Sequence, residues 1–330
     1  MRTYDLQVDV TGDTDLAGEL HTAVTVCVPD HIDGASTVLF GFPGGGFGRK
    51  YYNIDKLPGY SQAEFHCAAG MIFVACDHLG VGESSQPDTF DLTYENLAAA
   101  NHATADHVLL ALRKGSLHPD LAPIDISKTV AMGQSMGGCL LTVQQGNHRT
   151  FDGVAFLGWS GIFTNFPSAS GERIIYAAMP PRGTDLRAVA GEVLGVVAPT
   201  PEQFRYCFHW PDEEDQLVEA DLASYVPFSD VARGDENTPW GSATVPACAV
   251  TMMTEGSVAG EAAAVDVPVL CASGERDVVP DPWSEPTAYR NSRDVSVFVV
   301  PRMAHMHNFS HNRQLLWSRI AAFAQATTPR

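Results

Sequence analysis

At 330 residues the chain is long enough to bury a large core within a single elaborated α/β domain. Its 39 acidic and 20 basic residues leave a formal charge of −19, which argues against nucleic acid and anionic membrane as partners of the molecule as a whole. No apolar run approaches the roughly 18 residues of a membrane span, and Met1-Arg2-Thr3-Tyr4-Asp5 lacks an apolar signal core, so a cytoplasmic protein is expected.

Tyr4 to Val10 and Leu20 to Val28 alternate like two antiparallel strands around a turn at Thr11-Gly12-Asp13, and are expected at a sheet edge. A third strand, Thr37 to Phe42, runs into Pro43-Gly44-Gly45-Gly46-Phe47-Gly48. Three consecutive glycines let backbone amides approach a ligand oxygen with no side chain in the way. A phosphate loop is not met, because Arg49, Lys50 and Tyr51 follow Gly48. Met71 to Cys76 reads as a buried strand closed by Asp77-His78-Leu79-Gly80-Val81-Gly82-Glu83-Ser84, whose Gly-x-Gly lacks the third glycine of a dinucleotide fingerprint. Asn96 to Lys114 predicts a helix with Leu97, His107, Leu110 and Ala111 facing inward and Gly115 as its stop.

The stretch that organises the chain comes next. The apolar run through Val130-Ala131-Met132 ends in Gly133-Gln134-Ser135-Met136-Gly137, then restarts as a helix to Gly146. A serine on a sharp strand-to-helix turn can project its hydroxyl toward a base, and the flanking glycines let strand and helix cross closely. The free amides and positive dipole end of that helix would face an oxyanion beside Ser135. Gly153 to Trp159 is a further strand.

From Ile162 to Asp266 the strand-helix rhythm breaks into helical pieces rich in proline, which predicts an inserted subdomain. Within it, Phe204 to Pro211 is dense in aromatics that pack a lid core or line a substrate pocket. Asp212-Glu213-Glu214-Asp215 reads as the solvated first turn of a helix started by Pro211. Alternation resumes with the strand Val267 to Gly274, followed by Glu275-Arg276-Asp277. A short helical stretch spans Pro282 to Arg290, and a strand covers Val295 to Val300. The loop Pro301-Arg302-Met303-Ala304-His305-Met306-His307 and a helix from Asn312 to Ala326 complete the chain. The seven cysteines are scattered through apolar runs, as reduced core thiols are.

Strand ends therefore carry a glycine loop, a serine, an aspartate and a histidine, and in open α/β sheets sites form at the carboxyl ends of strands. With these motifs in this order, the chain resembles the α/β-hydrolase fold superfamily along nearly its whole length. The resemblance implies a mostly parallel eight-stranded sheet flanked by helices, with a core of residues 1–161 and 267–330 and a mainly helical cap of residues 162–266. It implies Ser135 as nucleophile, His305 as general base, Asp277 as orienting carboxylate, and the amides of Met136 and of Gly45 or Gly46 as oxyanion donors. Pro43 stands where a histidine is common in that family and Ala304 where a glycine is, which leaves the choice among Gly44, Gly45 and Gly46 open.

His307 is the rival base, set aside because His305 lies four residues past the strand-ending Pro301. Asp281 and Asp77 are rival acids with capping or turn roles of their own. His305, His307 and His311 lack a second ligand cluster, so no metal is expected, and no cofactor. Phe47, Trp159, Phe208 and Trp210 are the candidate substrate-lining aromatics.

The expected activity is hydrolysis of a small, largely apolar carboxylic ester or lactone through an acyl-enzyme. Acyl transfer of the homoserine-acetyltransferase type, or ligand binding without turnover, are the alternatives. A homodimer is compatible with all of these.

Overall fold

The structure is a computed structural model, which describes residues 1–171, 173–174, 179–193, 200–224 and 238–330. The alternating β1 (Arg2–Asp9) pairs antiparallel with β2 (His21–Val28), from Arg2 opposite Val28 to Asp9 opposite His21. Then follow β3 (Ser36–Phe42), β4 (Ile72–Cys76), β5 (Ile126–Gln134) and β6 (Gly153–Leu157). A separate two-stranded hairpin, β7 (Phe166–Pro167) with β8 (Arg173–Ile174), precedes β9 (Val269–Gly274) and β10 (Val295–Val300). The main sheet has eight strands in the order β1-β2-β4-β3-β5-β6-β9-β10, with every pair from β4 to β10 parallel. β4, β6 and β9 are buried along their whole length, as parallel strands covered on both faces must be.

Helices α1 (Gln62–Ala68), α2 (Tyr94–Lys114), α3 (Met136–His148), α4 (Leu186–Val193), α5 (Pro201–Phe208), α6 (Asp215–Ser224), α7 (Ala259–Ala264) and α8 (Arg313–Ala326) complete the described architecture. The sheet's period of two divides its side chains between two cores. Val38, Phe40 and Phe42 of β3 and Val154 and Phe156 of β6 pack under α2, α3 and α7. Leu39, Ala155 and Leu157 point the other way, toward α1 and α8.

Two details depart from the expectation. Helix α2 starts at Tyr94, because Thr93 caps it by accepting the Asn96 amide, and its inner stripe is Leu97, Asn101, Thr104, Val108 and Leu112. His107 and Leu110, expected inward, fall outside that stripe, and Leu110 is 47% exposed. Helix α6 starts at Asp215, not at Pro211, since Glu213 turns inward and leaves Pro211 to Glu214 outside the helix. All seven cysteines are buried, and none is joined in a disulfide. Among the described residues no helix is long and apolar enough to cross a membrane.

Candidate active site

Strand β5 ends at Gln134 and α3 begins at Met136, so Ser135 alone makes the turn. It does so at φ 52° and ψ −118°, a conformation that costs an L-residue about 1–3 kcal/mol and persists only where its surroundings enforce it. The Ser135 amide donates to the Leu157 carbonyl at 2.9 Å, and the Ser135 carbonyl accepts from Gly138 and Cys139 at 2.8 and 3.1 Å. Both motif glycines are required for the crossing. A Cβ on Gly133 would lie 2.3 Å from the Gly137 carbonyl oxygen, and one on Gly137 would lie 2.2 Å from that of Phe42. The result is a partly exposed serine at the carboxyl rim of the sheet.

The glycine loop lies beside it. A Cβ built on Gly44 would be 3.2 Å from Ser135 Cβ, and one on Gly45 would be 3.7 Å from Met136 Sδ and 3.9 Å from Met136 Cβ. Gly45 and Met136, two of the oxyanion candidates, are thus neighbours. Gly46 turns the chain at φ 79°, and its carbonyl accepts from the Ser242 amide at 2.9 Å. The loop is anchored through its carbonyls: Tyr52 Oη donates to Phe42 at 2.6 Å, and His78 Nε2 lies 3.1 Å from the Pro43 carbonyl. A carbonyl can only accept, so His78 carries its proton on Nε2, and burial pushes its pKa down, keeping it neutral.

Asp277 follows β9 and His305 follows β10, adjacent parallel strands, which brings the two loops together. Gly274 makes the approach feasible, since a Cβ there would meet the Met303 carbonyl at 2.4 Å. His305 Nδ1 lies 2.6 Å from Asp277 Oδ1, and His307 Nε2 lies 2.7 Å from Asp277 Oδ2. The amides of Val278 and Gly274 donate to the same two oxygens at 2.7 and 2.8 Å. Burial alone would raise this carboxyl, but the electrostatic attraction and hydrogen bonds of His305 and His307 outweigh it and hold Asp277 well below its ordinary value. The ionised form is therefore favoured.

On the other side of the His305 ring, the Gln134 amide nitrogen donates to the His305 carbonyl at 3.1 Å and lies 3.4 Å from Nε2. An amide NH₂ can only donate, so the Nε2 it faces is bare and the proton sits on Nδ1, toward Asp277. That tautomer leaves an acceptor next to the residue that immediately precedes Ser135.

Of the aromatics singled out from the sequence, Phe208 alone is brought to this pair. Helix α5, started by the Thr200–Gln203 capping box with Pro201 in its first turn, ends there, and the Phe208 ring meets the His305 ring edge-on with centroids 4.9 Å apart. The Phe208 carbonyl also accepts from the Met306 amide at 2.8 Å. Trp210 packs against the Arg276 guanidinium, Trp159 against the first turn of α3 at Gly138, and Phe47 against Tyr51.

Two residues of the site were not singled out from sequence. Gln134 is one. Gly158 is the other: at φ 55° it lies flat under the dyad, where a Cβ would come within 3.0 Å of His305 Nδ1 and 3.2 Å of Asp277 Oδ1. Its signal was its place, directly after a parallel strand on the edge where such sites form.

In the acidic run beside this segment Glu214 and Asp215 are exposed as expected, but Glu213 is buried. His209 is buried with Glu213 Oε2 2.8 Å from Nδ1 and Asp221 Oδ2 3.2 Å from Nε2, while Trp240 Nε1 donates to the second Asp221 oxygen at 3.2 Å. Burial pushes the imidazole pKa down, but the bonds to Asp221 and Glu213 outweigh it and raise it to about 9. With an ordinary value of 6.5 in the unfolded chain, the linked stability is complete below about pH 6.5 and lost as pH rises through about 9. Thermal melts should show a loss of Tm from pH 7 to 9.5 that is steeper in wild type than in His209→Gln; parallel slopes would refute the charged state.

Among functionally curated proteins no sequence relative of this chain was found. Solved structures share its fold at low identity. A bromoperoxidase from Bacillus anthracis superposes with TM-score 0.63 at 15% identity, covering 98% of this chain and 100% of that one. A thermophilic esterase from Thermogutta terrifontis gives 0.62 at 16%, over 98% and 100%. A proline iminopeptidase of Mycobacterium smegmatis gives 0.60 at 18%, over 98% of each. Sheet order, elbow and strand-end loops agree with the alpha/beta hydrolase family, whose model matches residues 38–316, and the chain belongs to that family.

Proposed function

We propose that the protein is a serine hydrolase of small, largely apolar carboxylic esters or lactones, with Ser135 as nucleophile, His305 as base and Asp277 as its orienting acid. The observation that carries this reading is the 2.6 Å contact between His305 Nδ1 and Asp277 Oδ1, which leaves Nε2 as an acceptor 3.4 Å from the amide nitrogen of Gln134, the residue before the strained turn at Ser135. In the first half-reaction Ser135 Oγ bonds to the substrate carbonyl carbon as its proton passes to His305 Nε2. The amides of Met136 and Gly45 hold the oxyanion, each such donor contributing about 3 kcal/mol to the transition state. Collapse breaks the ester bond, His305 returns the proton to the leaving oxygen, and the acyl group stays on Ser135. Water, deprotonated by His305, then releases the acid and regenerates the serine. Asp277 remains ionised throughout and stabilises the imidazolium.

In this reading the described segments that carry α5 and α6 act as the lid, and Phe208 shields the imidazole from bulk water. Similarity to an esterase in fold supports ester chemistry, and seven buried cysteines outside any disulfide support a reducing, cytoplasmic setting. A panel of chromogenic esters of increasing acyl length tests the assignment. Wild type should turn over the shorter members, and Ser135→Ala should lose at least about 10³-fold in kcat. Equal rates for the two proteins would refute it.

A further inference from the structure

The buried group that this mechanism leaves without a task is His307. It lies within the same loop as His305, fully enclosed, with its amide donating to the His305 carbonyl at 3.0 Å. Its Nε2 lies 2.7 Å from the carboxylate oxygen that His305 does not use, and its Nδ1 is buried with no hydrogen-bond partner. A ring with one nitrogen against a carboxylate and the other against nothing polar is best satisfied as the neutral tautomer protonated on Nε2. Asp277 then accepts from both imidazoles as well as from the Gly274 and Val278 amides.

We propose that His307 is a positioning residue for the reaction: it clamps Asp277 Oδ2, the oxygen that His305 does not use, and so fixes the plane of the carboxylate that orients His305. This rests on the Ser135–His305–Asp277 reading given above. The backbone amides reach the two oxygens from the Asp277 loop itself, so they hold the carboxylate against its own chain. His307 adds to the His305 contact a second tie between this carboxylate and the loop that carries His305, at the other oxygen. The clamp also places His307 where it cannot serve as base, because its accepting nitrogen faces the protein interior while its N–H is committed to Asp277.

Without it, the carboxylate keeps its charge but loses one of its two imidazole donors, and the His305 ring is free to shift relative to Ser135. A misplacement of the order of 1 Å costs roughly 100-fold in rate. His307→Leu should therefore lower kcat by about 10- to 100-fold with KM changed less than about threefold, since His307 touches no substrate. His307→Gln, whose amide can offer an N–H to the same oxygen, should recover most of that loss. Wild-type kcat in His307→Leu would overturn the proposal, and so would equal impairment of the Gln and Leu variants. Should His307→Leu fail to fold, spectra of wild-type protein labelled with ¹⁵N-histidine decide the matter: a proton on His307 Nε2 and a bare Nδ1 are expected, and a proton on Nδ1 refutes the clamp. Ser135→Ala separates the two levels. If Ser135→Ala retains wild-type activity, the triad reading itself fails; if it is inactive while His307→Leu is unimpaired, only the clamp does.

Discussion

Replacing Asp277 by asparagine is expected to lower kcat by on the order of 10⁴-fold and to lower the melting temperature as well. Each carboxylate oxygen accepts from one backbone N–H and one imidazole: Val278 and His305 at Oδ1, Gly274 and His307 at Oδ2. An asparagine NH₂ placed at Oδ1 would face the Val278 amide, which cannot change sides, and would force the His305 proton onto Nε2, where it blocks attack by Ser135. Placed at Oδ2 it would face the Gly274 amide and His307, and the imidazolium would form beside a neutral group. Both orientations leave a buried donor unpaired, which costs about 1–3 kcal/mol of stability. Kinetics on the best chromogenic ester, alongside a thermal melt, provide the measurement. Activity within tenfold of wild type would move the acid to another carboxylate.

The second large effect concerns the elbow itself. Gly133→Ala should destabilise the fold by about 3 kcal/mol and lower kcat/KM by roughly 100-fold or more. All three atoms nearest the added methyl are backbone, the Gly137 carbonyl oxygen at 2.3 Å, the Gly137 carbonyl carbon at 2.5 Å and the Gly138 nitrogen at 2.7 Å. No side chain can yield, so α3 must move off the strand and take Ser135 with it. Gly260→Ala in α7 is the matching control: nothing lies within 4 Å of its added methyl, and a helical alanine should stabilise by roughly 0.5–1 kcal/mol. Melts and ester kinetics on both variants test the contrast. A Gly133→Ala enzyme that melts and turns over like wild type would show that the crossing is looser than its geometry implies.

Much of the scaffold was legible in the chain because its strands are short apolar runs that end in glycine-rich loops. Ser135 and its flanking glycines announce a strand-to-helix turn from their spacing alone, and Asp277 and His305 stand just past the next strand ends. What the pattern could not convey depends on which side chains meet across distant segments. Glu213 looked like a solvated acid because its run is acidic, yet a histidine four residues earlier draws it into the interior. His107 and Leu110 looked inward because they are amphipathic or apolar, but the inner face of α2 is set by Leu97, Val108 and Leu112 and includes the polar Asn101. Asn101 is there for a reason invisible in one dimension: its amide donates to His78 Nδ1 at 3.0 Å, and His78 in turn holds the Pro43 carbonyl of the glycine loop. Gln134 and Gly158 were hidden for the same reason, since each acts on a histidine far away in sequence.

The central claim is that one hydroxyl, made nucleophilic by a histidine carried on a loop some 170 residues later, does the covalent work. Incubation with a fluorophosphonate, followed by peptide mass mapping, tests it most directly. One adduct on the Ser135 peptide, formed in step with loss of ester turnover and absent from His305→Ala, is the result this proposal predicts. Complete inactivation with Ser135 unlabelled, or full turnover with Ser135 blocked, would contradict it.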